Sequence, residues 1–506
     1  MKEAQSGTGP QVPGSSKTVL EDDGLRLPPR PQGAAWRHTL RFMGNPFPLM
    51  ESSYRECGGV FRLRLLGLGE WVFLCTVDSV KAFYHPPEGV FSTGEIKAEA
   101  AAGLMLGVDS SLCLDGPAHL ERQRRVLPLL NGRKALAQAE TILRVTRANL
   151  DRWPLGERFA FVPRAHRLAL EIMVEVVFGD EPPQIRSRLA DAFDSYSAEL
   201  RSPLLAMPAL QIDLGRFSPW GRMLAAREGI RSVFRRVIAE RRARGPGGGG
   251  GDVLGALMWG RGGGGGDLGD EALLDETLTL LFAGHETTGN TLAFVLEGIL
   301  AHPEVSARLG EELRTEEPGQ HGADAFRKLP YLDAVIHEGL RVGRMSPMSA
   351  VRKVKKRWRI GGFDVLPGQV VAVGFYTLGQ RGDIFPQPRR FDPERFMTPR
   401  RDLSWFNVFG IGSRICAGKG LASLELKVIL ATLLRHGRFR LAGGPAGVER
   451  RGILFCPKGG LPVVLERRSK GMGPSRGQGL RHPAAPIPPA SAPTAPSRCP
   501  VGGDRA

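Results

Sequence analysis

The sequence predicts a mainly α fold with small β-sheets (α+β), and three observations carry that prediction. The segment "DEALLDETLTLLFAGHETTGNTLAFVLEGILA", Asp270 to Ala301, keeps helical period without a proline and is far longer than the mean globular helix. Other segments repeat apolar residues at helical spacing along most of the chain. The strand-like runs are short and sit toward the two ends.

In chain order, "VFRLRLLGL" near Val60 and "EWVFLC" near Trp71 read as strands. Lys134 to Asp151, Ala165 to Phe178 and Leu224 to Arg244 read as helices, the last with arginines on its polar face. The long helix follows, then helices over Val305 to Arg314 and Tyr331 to Val342. "RWRIGGFDV" near Arg357, "VVAVGFY" near Val370 and "LPVVLER" near the end read as strands. Three segments look unstructured by composition: a leader over residues 1–37, a Pro/Ala-rich tail over 469–506, and a Gly-rich stretch over 245–266. The glycine runs flank a short apolar patch, Val253 to Trp259. Helical patterns on both sides favour a surface loop inside one domain over a domain boundary. No internal repeat is evident.

Composition narrows the function classes. With 42% hydrophobic residues in 506, the chain can bury a core. Six scattered cysteines with no Cys-x-x-Cys pair exclude a disulfide framework and weaken a zinc reading, so a reducing, cytoplasmic setting is expected. There is no apolar run of signal-peptide or membrane-span length, so a soluble protein is expected. The net charge of +17 is spread along the chain without a basic stripe interleaved with aromatics, which argues against nucleic acid.

Five stretches could carry chemistry. "FGIGSRICAGKG", Phe409 to Gly420, places Cys416 among four glycines. It is either a plain turn or a backbone made thin so that something bulky can approach the sulfur. "AGHETTGN", Ala283 to Asn290, sets poor helix formers at the middle of the long helix. A threonine hydroxyl there can bond back to the preceding turn and open the helix. Glu286 beside Thr287 is then a proton-delivery pair, or the stretch is a tolerated irregularity at a helix crossing. "HEGLR" puts Glu338 and Arg341 at i,i+3, by itself a common surface pair. "FDPERFM" is a turn in which Arg395 is drawn inward if its phenylalanines are buried. "DGPAHLERQRR" opens a helix with Asp115 as a possible cap, and His119 and Arg122 share a face that either binds an anion or is solvated.

Taken in order, these motifs resemble the cytochrome P-450 superfamily of haem-thiolate monooxygenases, in its soluble bacterial type. "AGHETT", "EGLR", "PERF" and "FGIGSRICAG" follow one another at the family's spacing over roughly His38 to Arg468. The resemblance implies the P-450 fold, with haem b (iron protoporphyrin IX) held between a long distal helix and a proximal cysteine loop. Cys416 would be the thiolate on the iron. Phe409 would pack beside it, and the glycines, Gly410 among them, would let backbone pass under the ring. Arg414 would pair with a haem propionate. His119, Arg122 and Arg352 are further haem-binding candidates. The family's usual arginine four residues after His119 is Gln123 here, so the second propionate falls to Arg122 or Arg124. Val408 stands where a proline is usual. Glu338, Arg341 and Arg395 resemble the family's buried charge triad. Thr287 and Glu286 resemble its acid–alcohol proton relay, with Gly284 leaving room for oxygen.

The activity implied is insertion of one oxygen atom from O2 into a lipophilic substrate. Met105, Phe282, Ala283, Met345, Met348 and Ile453 would lie near it. No flavin or nicotinamide motif is present, so a ferredoxin or flavodoxin with its reductase would supply electrons, docking near Arg414 and Lys419. A monomer is expected. A peroxide-using hydroxylase or haem-thiolate isomerase on the same fold is the alternative, though such relatives commonly lack the threonine. A haem sensor without turnover would need neither that threonine nor an oxygen pocket.

Overall fold

In the computed structural model, the residues described are 20–21, 24–99, 101–206, 210–246, 251–260, 268–315, 326, 328–397, 403–444 and 447–469. The leader before residue 20, the tail beyond 469 and most glycines of the 245–266 stretch lie outside them.

A short strand pair, Leu20–Glu21 with Leu25–Arg26, precedes helices α1 (Ala35–Gly44) and α2 (Pro46–Cys57). Strands β1 (Val60–Leu65) and β2 (Gly69–Leu74) form the predicted hairpin, and α3 (Val77–Tyr84) follows behind a Thr76 capping box. Next come β3 (Phe91–Ser92), α4 (Gly94–Glu99), α5 (Ala101–Leu106) and α6 (Gly116–Leu130). The predicted Lys134–Asp151 helix is two, α7 (Gly132–Leu136) and α8 (Ala139–Arg152). After β4 (Arg158–Ala160) run α9 (Phe161–Phe178), α10 (Pro183–Glu199) and α11 (Pro219–Arg244). Periodicity did not single out α10.

The Val253 patch is a correction to the expected surface loop. It forms helix α12 (Val253–Met258), buried throughout and capped by the Asp252 carboxylate on Gly255 N–H. Six consecutive buried residues outweigh the flanking glycines, because the apolar area gained on packing exceeds the entropy of ordering one helical turn and a half.

The long helix α13 spans Asp270–Ala301 as predicted, about 48 Å at 1.5 Å per residue. It is continuous α-helix through the AGHETTGN stretch, so the expected opening is absent even though Thr287 Oγ1 does donate to Ala283 O at 2.5 Å. Helices α14 (Pro303–Thr315) and α15 (Pro330–Val342) follow. Then come β5 (Ser349–Val354), β6 (Trp358–Ile360), β7 (Phe363–Val365) and β8 (Val370–Val373). The chain turns helical straight after β8, as α16 (Phe375–Gly379), where the alternation had suggested strand. Helix α17 (Lys419–His436) leaves the cysteine loop. Strands β9 (Gly437–Leu441), β10 (Val448–Arg451), β11 (Leu454–Pro457) and β12 (Pro462–Arg468) close the fold.

The main sheet has strand order β1-β2-β8-β5-β3, with only β2 and β8 parallel, and a second sheet runs β9-β12-β4. The largest core joins α8, α9, α13, α15 and α17. Two glycines of α13 set the crossing with α9. A Cβ on Gly284 would stand 2.6 Å from Met173 Sδ, and one on Gly289 would stand 2.3 Å from His166 Cδ2. Gly284 therefore lets α9 approach.

Candidate active site

The cysteine loop is shaped by backbone before any side chain acts. Gly410 and Gly412 both sit at positive φ, 75° and 76°, where a Cβ is strained. Their turn lets Cys416 N–H donate to Phe409 O at 2.8 Å. Side chains of α6 and the residue after it then clamp the loop. Asn131 Nδ2 donates to Ala417 O at 2.7 Å while its Oδ1 accepts from Gly420 N–H at 2.8 Å. Gln123, where the family has arginine, donates to Ile415 O at 3.4 Å. His119 is buried and contacts Ser111 O, Ser413 O and Arg414 Nη1, each at 3.0 Å. Burial and the Arg414 charge lower its pKa; a neutral ring that donates from Nε2 to Ser413 O accepts from Arg414 at Nδ1, which then has no proton to give Ser111 O.

Cys416 itself is exposed. Surrounding atoms still deprive its thiolate of hydration and raise its pKa, against the Gly418 N–H and the charges of Lys97 and Lys419. The middle of α13 is the other exposed element of the interior. Ala283 is exposed and Phe282, Gly284 and Thr287 are half-exposed, within a helix whose other central residues are buried.

Around the loop stand more cations than carboxylates. Arg414 pairs with Asp115 and donates to Leu114 O. Arg352 is buried, donates to Phe83 O at 2.8 Å and stacks over the Phe83 ring, with no carboxylate partner among the described residues. Burial, opposed only by Tyr84 and reinforced by Arg414, lowers its pKa to about 10. Lys97, which sequence reasoning missed, is pushed down to about 8 by burial and by the Arg414 charge, while Cys113, Cys416 and Asp115 act in the opposite direction. Asp115 is thus the carboxylate that Lys97 and Arg414 share. No local pattern marks Lys97, since its place depends on how α4 packs.

Other expected residues are engaged elsewhere. Arg122 forms a buried ion pair with Glu276 at 3.1 Å and donates to Asp109 O at 3.0 Å, while Arg124 is exposed. The Arg122 charge is thus shared with Glu276 of α13. Asp115 does not cap its own helix. Its carboxylate accepts from Ser92 Oγ and from the N–H groups of Thr93, Gly94 and Glu95, capping α4 instead.

The charge pairs after α13 are closed. Arg341 and Glu338 are both fully buried and joined by two bonds of 2.7 Å. Arg341 also donates to the carbonyls of Gly379, Pro388 and Arg390. Arg395 Nε lies 3.4 Å from Glu338 Oε1, an ion pair without hydrogen-bond alignment. Glu286 and Thr287 diverge: Thr287 bonds back to Ala283, whereas Glu286 accepts from Ser197 Oγ at 3.5 Å and faces a cleft with Phe282, Met105 and Ile453. Burial raises the Glu286 pKa, against Arg451 and Arg201.

Among the described residues, one exposed thiol, an exposed patch on the core helix α13 and an excess of desolvated cations are a donor set that fits haem, a flat macrocycle with one soft axial ligand and two carboxylates. Among the described residues, no helix is long and apolar enough to cross a membrane.

The sequence profile of the cytochrome P-450 family matches residues 28–458. A Mycobacterium tuberculosis (strain ATCC 25618 / H37Rv) protein provisionally named cytochrome P-450 138 is 31% identical over 88% of this chain and 97% of its own length. Another from the same strain, provisionally named cytochrome P-450 137, is 32% identical over 81% of this chain and 83% of its own. Among solved structures, retinoic-acid-bound cyanobacterial CYP120A1 superposes with a TM-score of 0.76 at 23% identity, covering 88% of this chain and all of the other. The heme domain of cytochrome P450DA gives the same score and identity over 98% of its length.

Proposed function

The chain belongs to the cytochrome P-450 family, a haem-thiolate monooxygenase in general, and from that premise we propose how its own residues do the work. Bound haem supplies the oxygen-activating iron. Cys416 is its thiolate ligand, with Gly410 and Gly412 bringing backbone close and Phe409 receiving the Cys416 N–H. Lys97, Arg352 and Arg414 neutralise the propionates, and His119 steadies Arg414. The observation that carries this reading is the exposed Cys416 on a loop clamped by Asn131, Gln123 and His119, ringed by cations that outnumber their carboxylates.

On the distal side, Thr287 holds its hydroxyl at the exposed face of α13. Glu286, one residue away, is the acid of the pair, and burial raises its pKa against Arg451 and Arg201. The two then hand protons toward the Ala283 face by rotation of the Glu286 side chain. Glu338, Arg341 and Arg395 are structural: they fix α15 to the segment before the cysteine loop. The substrate is a lipophilic small molecule that enters past Met105, Phe282 and Ile453. Electrons come from a ferredoxin or flavodoxin with its reductase, docking where Arg124, Arg133 and Lys134 are exposed near Lys419. We place the protein in the cytoplasm, as a monomer, with haem b.

The test is the carbon monoxide difference spectrum of the dithionite-reduced protein, with Cys416→Ser beside it. A red-shifted Soret band in the wild type, lost in the variant, is the expected result. A protein that takes up no haem, or a band that survives Cys416→Ser, would overturn the assignment.

A further inference from the structure

A cavity of about 270 Å³ opens between α2 and the chain around the end of α16, whereas the cleft beside Glu286 offers about 30 Å³. Glu51, Tyr54 and Arg55, at i, i+3 and i+4, bring one face of α2 to it. Thr377, Gln380, Arg381 and Arg389 form the facing wall.

Two of the three arginines are closed. Arg389 donates to Glu51 at 3.1 Å, and Glu51 also accepts from the Tyr376 hydroxyl at 2.7 Å. Arg381 pairs with Asp383, donates to Cys75 O at 2.8 Å and lies over the Tyr54 ring. Arg55 differs. It is exposed, and its bond among the described residues is a long one, from Nε to the uncharged Glu51 O at 3.4 Å. Glu56, its neighbour in sequence, accepts instead from Gln32 N–H at 2.6 Å. Three guanidinium groups therefore meet two carboxylates, and the surplus charge sits on Arg55.

Neutral groups add unused capacity. Thr377 is 2% exposed, and its Oγ1 has no hydrogen-bond partner, with the Cys75 thiol beside it. A buried hydroxyl in that state is costly until something pairs with it. The Tyr54 hydroxyl and the Gln380 carboxamide, both on half-buried residues, are unbonded among the described residues.

We propose that this cavity binds a phosphate group, free or as the monoester of a small organic molecule. A tetrahedral oxyanion takes the Arg55 fork and still accepts from donors on the opposite wall, whereas a carboxylate presents two oxygens in one plane. The Tyr54 ring gives the organic part of an ester a surface to lie on. Occupancy also bears on the buried pair behind the cysteine loop. Arg341 holds the carbonyls of Gly379, Pro388 and Arg390, which flank Gln380 and Arg389. A ligand bridging α2 to those two residues ties the same segment down from its outer side. The inference stands apart from the monooxygenase reading, since no group in it touches the haem side.

The experiment titrates the purified full-length protein with inorganic phosphate, phenyl phosphate and benzoate, with sodium chloride as the ionic-strength control, by calorimetry and thermal midpoint. A phosphate compound is expected to bind about tenfold more tightly than benzoate and to raise the midpoint. The tighter of the two phosphates identifies the source, an ester or the free ion. Arg55→Gln is expected to weaken that binding about tenfold, the equivalent of one charge-assisted bond, and Arg55→Lys to restore part of it. Because Arg55 is exposed and held by one long bond, both variants should fold, with midpoints in the absence of phosphate equal to the wild type. A preference for benzoate, a chloride response equal to that of phosphate, undiminished binding in Arg55→Gln, or no binding at all would overturn the inference. Phosphate binding beside an absent thiolate band in the carbon monoxide spectrum removes the haem assignment and leaves this site standing.

Discussion

The cysteine side of the molecule and the neighbourhood of Glu286 both carry arginines, and they treat them differently. Behind the cysteine loop, Arg341 ends on the Glu338 carboxylate and three carbonyls. Near Glu286, the Arg201 guanidinium makes no hydrogen bond among the described residues and the Arg451 Nε is bare. A closed arginine holds architecture, because removing its partner strands a desolvated charge. An arginine left without a carboxylate keeps its hydrogen-bonding capacity free.

Breaking the closed side should have the largest effect. Arg341→Met leaves the buried Glu338 with only the unaligned Arg395 ion pair and the Asp392 N–H, at a cost of about 3–5 kcal/mol. Haem content after purification and the thermal midpoint should both fall sharply. A variant that retains haem and melts with the wild type would show that the pair is dispensable.

Next in size is Thr287→Ala. Loss of a positioned proton donor should lower product formation about 100-fold, with reducing equivalents diverted to hydrogen peroxide, while haem content and substrate affinity stay unchanged. Product yield per NADPH consumed, in a reconstituted system, measures this.

A smaller, pH-dependent effect should appear between the two regions. Glu425 of α17 is buried, bonded through Oε2 to Thr288 Oγ1 at 3.2 Å, and burial raises its pKa to about 8. The folded state thus holds a proton that the unfolded chain releases near the ordinary carboxylate value of about 4.3. The stabilisation is complete below that value and is lost as pH rises through about 8. Thermal midpoints measured across that window should fall with pH in the wild type, and Glu425→Gln should flatten the decline. Parallel curves would refute it.

The smallest effect belongs to the loop clamp. Asn131→Ala removes bonds to Ala417 O and Gly420 N–H and should cost about 1–3 kcal/mol. Faster haem loss to an acceptor protein would report it.

What the sequence determined by itself is what short stretches of chain decide. The period of Asp270–Ala301 set the full span of α13, and the glycines of "FGIGSRICAGKG" set the turn at Gly410 and Gly412 that presents Cys416. Helix period and positive φ depend on neighbours within a few residues. Tertiary structure decided the partners. Arg122 went to Glu276 across 154 positions, Asp115 capped α4 rather than its own helix, Gly284 served the crossing with α9, and Lys97, Arg201 and Arg451 were brought to their sites by packing. Charge pairing is set by which surfaces are desolvated together, and that is fixed only when distant elements close on one another.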